Sequence, residues 1–428
     1  MTECVLILAR FSGCLHACCN FSGYKPLQQV LKASVVPSQF LWTPQPSVQS
    51  LSRTARLQTR RNEKEKKSFD VPDCQIINTV VDEELTVGLA VEVFAESTPS
   101  SSIQLTDAES QTVNEATQTA HASVQTNEKL SFTFMSITNN DKAVHFYTGL
   151  ENYAKFKFVL ASLGPASNSL SCMYGDVEGI HVEDQFLMVL MKLRRYTTNF
   201  ELAMMFGVCE SQVYNVFCTW IRFMSLQWRE LDLWPSRDVV NFFMPSDFRR
   251  KFPKTRVVLD GTECPIKTPK LPLAQQATFS TYKNRSTVKV LVGATPSGLV
   301  SFVSPAYGGS TSDRQIVERS SLPSLCDSGD SIMADKGFAV QDMFAPFNVQ
   351  VNIPTFFRNK NQMQSKTILH DRKVSSKRVH IERIIGLGKT YKILTQPMNH
   401  SETQLSSDII FVCYMLCNFR SCIVSKTA

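Results

Sequence analysis

Two short apolar runs in the second half of this 428-residue chain each close on an aspartate: Val257-Val258-Leu259 on Asp260, and Ile332-Met333-Ala334 on Asp335. Runs of that length and type read as buried strands. A carboxylate directly after a buried strand is poorly placed for a solvated surface and well placed to reach the cleft at the end of a sheet. Gly261 and Gly337 follow closely and leave room for a ligand or a phosphate. The neighbouring segments fit the same scheme. Residues 288–293 and 299–303 are apolar runs joined by Pro296-Ser297-Gly298, a hairpin signal. Residues 311–320 read as a helix capped by Ser312 or Asp313, and 349–353 as a strand closed by Pro354. A helix over 375–387 carries Val379, Ile381, Ile384 and Ile385 on its apolar side. Strands first and a helix last, with acids at strand ends, predict an α/β sheet with polar chemistry along its edge.

Glu382, on that last helix, is the third candidate carboxylate. Each acid alone could be a helix cap or a surface charge. Three converging would repel one another unless something positive offsets them, and hard divalent cations with oxygen ligands are the usual answer. Two Mg²⁺ or Mn²⁺ ions ~3.5–4 Å apart can activate water and stabilise the departing oxygen in phosphodiester cleavage. The charge distribution suits a polyanionic substrate. Residues 241–428 hold 25 Lys+Arg and 13 Asp+Glu, a net of +12, against −5 for the first 240 residues. Nucleic acid is the simplest partner for such a half, and a solvated basic surface is the competing reading.

The first half is organised differently. Nowhere along the whole chain does a run of about 18 uncharged apolar residues occur, and the best candidate, 409–419 near the C-terminus, reads as a buried terminal helix. Thirteen scattered cysteines predict reduced thiols rather than a disulfide scaffold. The mixed-charge run 60–67 is a solvated linker or a weak nuclear-import signal. Residues 71–128 contain ten acids, no Lys or Arg, and Phe94 as sole aromatic, so they bury too little to offset ordering entropy. Order is expected from about residue 130, where Phe132, Phe134, Phe146 and Tyr147 begin a dense aromatic run. A helix over 183–196 follows. Then Ala203, Gly207, Val213 and Val216 fall at helix-turn-helix spacing: a small residue for close approach, glycine for the turn, two β-branched residues packed inward. The second helix would show Glu210, Ser211, Gln212, Tyr214 and Asn215 outward, and Gln212 and Asn215 could read adenine edges. DNA contact and a purely structural or dimer-forming three-helix unit both fit that face. The chain thus divides into 1–130, largely disordered and acidic from 71; 131–240, helical, with the helix-turn-helix at about 183–228; and 248–425, the α/β domain.

Five motifs carry a resemblance: Asp260-Gly-Thr-Glu, Tyr282-Lys283-Asn284-Arg285, Gly309-Ser-Thr-Ser-Asp313, Ala334-Asp335-Lys336-Gly337-Phe338, and Arg378-x3-Glu382-x6-Lys389, with 46 residues between Asp335 and Glu382. From about 183 to 423 the chain resembles the DDE superfamily endonucleases of PIF/Harbinger-type transposons. Ser375 stands where that family has tyrosine. The resemblance implies an RNase H-like α/β catalytic domain behind an all-α helix-turn-helix domain. It implies Asp260, Asp335 and Glu382 as catalytic metal ligands for Mg²⁺ or Mn²⁺, with Asp313 either a fourth ligand or a helix cap. Arg378 and Lys389, on the same side of the helix as Glu382, would grip phosphates or pair with acids. Lys336 is assigned to the DNA backbone. Lys283 and Arg285 would hold DNA or line a solvated strand edge. The expected activity is that of a metal-dependent DNA endonuclease or transposase in the nucleus, with some presence in the cytoplasm open, acting as a homo-oligomer. The alternative is a catalytically silent DNA-binding or interaction protein derived from one, and RNA cleavage is a third class. Relatives carry an N-terminal zinc module whose paired cysteines residues 1–130 lack, which implies a separate DNA-targeting partner.

Overall fold

The computed structural model describes residues 132–175, 179–355 and 365–424. The expectations for residues 1–130, disorder and the 60–67 run included, lie outside the described residues. Helices come first: α1 (Asp141–Thr148), α2 (Tyr153–Ala161), α3 (Val182–Arg195), α4 (Asn199–Phe206), α5 (Glu210–Arg229), α6 (Arg237–Phe243) and α7 (Ser246–Lys251). α3 buries Phe186, Leu187, Leu190 and Leu193, and Lys192, Arg194 and Arg195 in its last turn complement the helix dipole. α4 and α5 form the helix-turn-helix expected from the sequence. Gly207 closes α4 at φ 68°, a conformation that suits glycine. Ala203, Val213 and Val216 are buried between the two helices and their neighbours.

The sheet region follows: β1 (Thr255–Pro265), α8 (Pro272–Thr278), β2 (Phe279–Ser280), β3 (Arg285–Ala294), β4 (Val300–Val303), β5 (Tyr307–Gly308), α9 (Asp313–Glu318), α10 (Leu322–Leu325), β6 (Ser331–Met333), α11 (Gln341–Phe344), β7 (Gln350–Asn352), α12 (Ser365–Gly388), α13 (His400–Gln404) and α14 (Ser406–Asn418). The strand order is β2-β3-β1-β6-β7, with β4 and β5 also paired to β3. β1 runs antiparallel to β3 and β3 antiparallel to β4, while β1, β6 and β7 are mutually parallel. The parallel strands are reached through helical crossovers, as parallel pairing requires.

Alternation along the strands sorts side chains into two cores. Val258, Met333, Val288, Val290 and Val292 pack with Val374, Ile381 and Ile384 of α12 and with α14. Val257, Leu259, Leu291, Ile332 and Ala334 pack on the other side with Ile316 and Val317 of α9, Phe338 and Phe344. The first core continues into the helical segment through Phe134, Phe186, Trp220 and Trp228. α14 is buried on nearly every side, including Ile409, Phe411, Tyr414 and Leu416, which is why its sequence shows no polar face. No described helix is long and apolar enough to cross a membrane.

Two expectations are corrected. β1 does not stop at Asp260: its pairing with β3 continues to Pro265 opposite Thr287, and Thr262 and Cys264 go on burying one face. α12 begins at Ser365 rather than residue 375, because residues 365–373 are largely exposed and set only Ile368 and Leu369 among polar residues, too little for apolar periodicity to register.

Candidate active site

The sheet register brings the two aspartates together. Val258 of β1 pairs with Met333 of β6 in parallel register. Asp260 and Asp335 each lie two residues further on, so they stand side by side beyond that pair. α12 packs over the same face through Ile381 and Ile384, and carries Glu382 between them. The guanidinium of Arg378, one turn before Glu382, sits among all three carboxylates. Its Nη1 is 2.9 Å from Asp335 Oδ1. Its Nη2 is 3.8 Å from Asp260 Oδ1 and 3.7 Å from Glu382 Oε1. Residues spread over more than a hundred positions of the sequence therefore meet around one cation.

The three acids differ in environment. The Asp260 side chain is 23% exposed, those of Asp335 and Glu382 53% and 54%. Burial pushes the Asp260 carboxyl up to about 6; Arg378 works against this, and the charges of Asp335 and Glu382 add to it. Both aspartates are oriented by the next amide along the chain: Gly261 N–H donates to Asp260 Oδ1 at 3.0 Å and Lys336 N–H to Asp335 Oδ1 at 2.7 Å. Arg378 is nearly buried, and its Nε has no hydrogen-bond partner. Among the described residues no three His, Cys, Asp or Glu side chains are closed to metal-ligand spacing; these carboxylates ring the guanidinium instead. In donor type and charge they fit a hard divalent cation: three carboxylates, with positive charge already required at the point where they meet.

The remaining candidates separate. Asp313 is the first residue of α9, not its cap; Ser312 caps it, accepting from Gln315 N–H. Its Oδ1 is 2.9 Å from Lys289 Nζ. A Cβ on Gly261 would come within 2.8 Å of that same oxygen, which puts Asp313 on the side of β1 toward which Gly261, not Asp260, points. Lys336 gives its amide to Asp335. Lys389 follows the end of α12, half-buried, its N–H donating to Ile385 O. Lys283 and Arg285 are exposed where β2 turns into β3. Arg285 is seven residues from Val292, the partner of Asp260, or about 23 Å along the strand. They belong to a separate surface. Tyr282 beside them is 82% exposed, with Lys283 Nζ 4.5 Å from its ring centroid. The motif Tyr282-Lys283-Asn284-Arg285 includes this tyrosine without a role for it, although an aromatic followed by cations is a readable signal for nucleic-acid contact.

The helix-turn-helix face is corrected. Gln212 is spent on the N-terminus of α5, where its Oε1 accepts Cys209 N–H. Asn215 is buried: its Oδ1 accepts Tyr174 N–H at 2.9 Å and its Nδ2 donates to Gly175 O at 2.8 Å. The chain before α3 folds back over this part of α5, so Asn215 is not offered to a base. On α4, by contrast, Phe200 and Met204 are largely exposed, one turn apart.

Comparison with protein families agrees with this architecture. The family model described as DDE superfamily endonuclease matches residues 259–418. The one described as helix-turn-helix of DDE superfamily endonuclease matches residues 180–228. Residues 259–418 are thus similar to the DDE superfamily endonuclease domain, and residues 180–228, just before them, to the helix-turn-helix that accompanies it. No curated protein and no solved structure matches the chain.

Proposed function

We propose that the protein is a metal-dependent DNA endonuclease of the transposase type, of the PIF/Harbinger group, with an RNase H-like catalytic domain. The observation that carries the reading is the meeting of Asp260, Asp335 and Glu382 around the Arg378 guanidinium. The antiparallel β4-β3-β1 set extended by parallel β6 and β7 supports the fold. Asp260, Asp335 and Glu382 would hold one or two Mg²⁺ or Mn²⁺ ions, which supply Lewis acidity and an activated water. The protein contributes orientation. The amides of Gly261 and Lys336 fix two of the carboxylates, and the apolar contacts of α12 fix the third. Arg378 would hold phosphate oxygens beside the trio, and Lys389, two turns beyond Glu382, would hold them further along. Lys283 and Arg285, with Tyr282, would hold the backbone further along the DNA. Residence in the nucleus, self-association and a separate DNA-targeting partner belong to the same reading.

A catalytically silent, DNA-binding descendant is the second reading, favoured by a guanidinium that already compensates the trio. Plasmid nicking in Mg²⁺ or Mn²⁺ decides between them. The wild-type chain is expected to nick and Asp335→Asn and Glu382→Gln to lose at least a hundredfold. Equal nicking by wild type and Asp335→Asn, or none by either, would refute the enzymatic reading.

A further inference from the structure

We infer that Arg378 is the resident counter-ion of the carboxylate site and that a divalent cation enters by exchange with it. The inference rests on the reading of Asp260, Asp335 and Glu382 as metal ligands, and adds a competitor to it.

The geometry of the guanidinium is that of a weakly held occupant. A well-seated arginine makes a bidentate fork with one carboxylate. Arg378 instead makes one short contact, 2.9 Å to Asp335, and two long ones, 3.8 Å to Asp260 and 3.7 Å to Glu382. Its Nε is buried without a partner. The residue is thus positioned for the summed field of three carboxylates rather than for a particular one. A dication bound by these oxygens would sit at about 2.0–2.1 Å from them, well inside the present nitrogen distances. Two cations cannot share that point without strong repulsion, so the side chain must turn aside as metal enters.

The side chain has somewhere to go. Arg378 stands on α12 one turn before Glu382, and α12 itself is anchored by Val374, Ile381 and Ile384, so the helix need not move. The Asp335 and Glu382 carboxylates are each more than half exposed, which leaves the solvent side of the trio open. A guanidinium displaced to that rim keeps its fork free for a phosphate. Arg378 is therefore a positioning residue with two stations: it preserves the spacing of the acids before metal binds, and afterwards faces the substrate.

Exchange of this kind gives effects of opposite sign, which a merely structural arginine would not. Removing the guanidinium should loosen the metal-free protein and tighten metal binding. The test is calorimetric titration of the full-length, chelator-stripped protein with Mn²⁺, for wild type, Arg378→Gln, Arg378→Lys and Asp335→Asn. Thermal melts in chelator and in saturating Mn²⁺ accompany it. Arg378→Gln should bind Mn²⁺ about tenfold more tightly than wild type, roughly the worth of one charge-assisted hydrogen bond. Its melting midpoint should lie below wild type in chelator and rejoin it in Mn²⁺. Arg378→Lys, which retains the charge without the fork, should fall between the two in affinity, and carries the test if Arg378→Gln does not fold. Equal or weaker Mn²⁺ binding by the Arg378 variants would overturn the exchange while leaving the ligand reading intact. Absence of Mn²⁺ binding by wild type and Arg378 variants alike would remove the ligand reading, and the exchange with it.

Discussion

Replacing Asp260 by asparagine should stabilise the metal-free fold at pH 8 and leave it unchanged at pH 4. The Asp260 carboxyl is raised from 3.8 to about 6, chiefly by burial. The folded state therefore holds this proton more tightly than the unfolded chain does. Below about pH 4 the group is protonated in both states and carries no penalty. Between pH 4 and 6 the unfolded state ionises first, and above 6 the full cost of a buried charge is present. At 1.36 kcal/mol per pH unit, that cost is about 3 kcal/mol. Asparagine removes the charge, and its Oδ1 can still accept Gly261 N–H, which Asp260 Oδ1 now accepts at 3.0 Å. The attraction lost to Arg378 Nη2, at 3.8 Å, is long and already counted in the raised value. Urea unfolding with chelator present, at pH steps from 4 to 8, should show Asp260→Asn gaining about 2–3 kcal/mol over wild type across pH 4–7. A difference independent of pH, or a loss of stability at pH 8, would refute the reasoning. Saturating Mn²⁺ should reverse the order by stabilising wild type alone.

Three further outcomes follow from the packing and the surface. Lys192 Nζ lies 3.1 Å from Glu402 Oε1 with both side chains nearly inaccessible. Lys192→Met strands that carboxylate and should cost about 3–5 kcal/mol in urea unfolding; a loss under 1 kcal/mol would contradict it. A Cβ on Gly388 would meet the buried Tyr414 ring at 2.6 Å. Gly388→Ala should therefore lower stability by about 1–3 kcal/mol through forced separation of α12 and α14, and an unchanged melting midpoint would speak against that close approach. Lys283→Ala with Arg285→Ala should weaken DNA binding and flatten the dependence of log K on log salt by about 2, one counter-ion per lost phosphate contact; an unaltered slope would remove this hairpin from the interface.

What could be read from the sequence was whatever local chemistry decides. Ala203, Gly207, Val213 and Val216 specify the helix-turn-helix because a small contact, a left-handed turn and two inward β-branched residues are each a matter of a few neighbours. The terminal helix was legible because a segment buried on all sides has no polar face to write. The three candidate acids were legible by type and setting. Their meeting was not, since it depends on the parallel Val258–Met333 register and on the path of α12. The burial of Asn215 was hidden for the same reason: its partners, Tyr174 and Gly175, lie some forty residues earlier in a loop that no periodicity announces. Arg378 was readable as a cation one turn from Glu382, but only the assembled pocket reveals that it faces three carboxylates at once.

The central claim is that Asp260, Asp335 and Glu382 form one cation site. Anomalous diffraction from crystals of the full chain equilibrated with Mn²⁺ addresses it without requiring turnover. The account predicts a manganese peak bounded by oxygens of all three side chains, at about 2.0–2.3 Å. Ordered manganese only at other carboxylates, or none at saturating concentration, would contradict it.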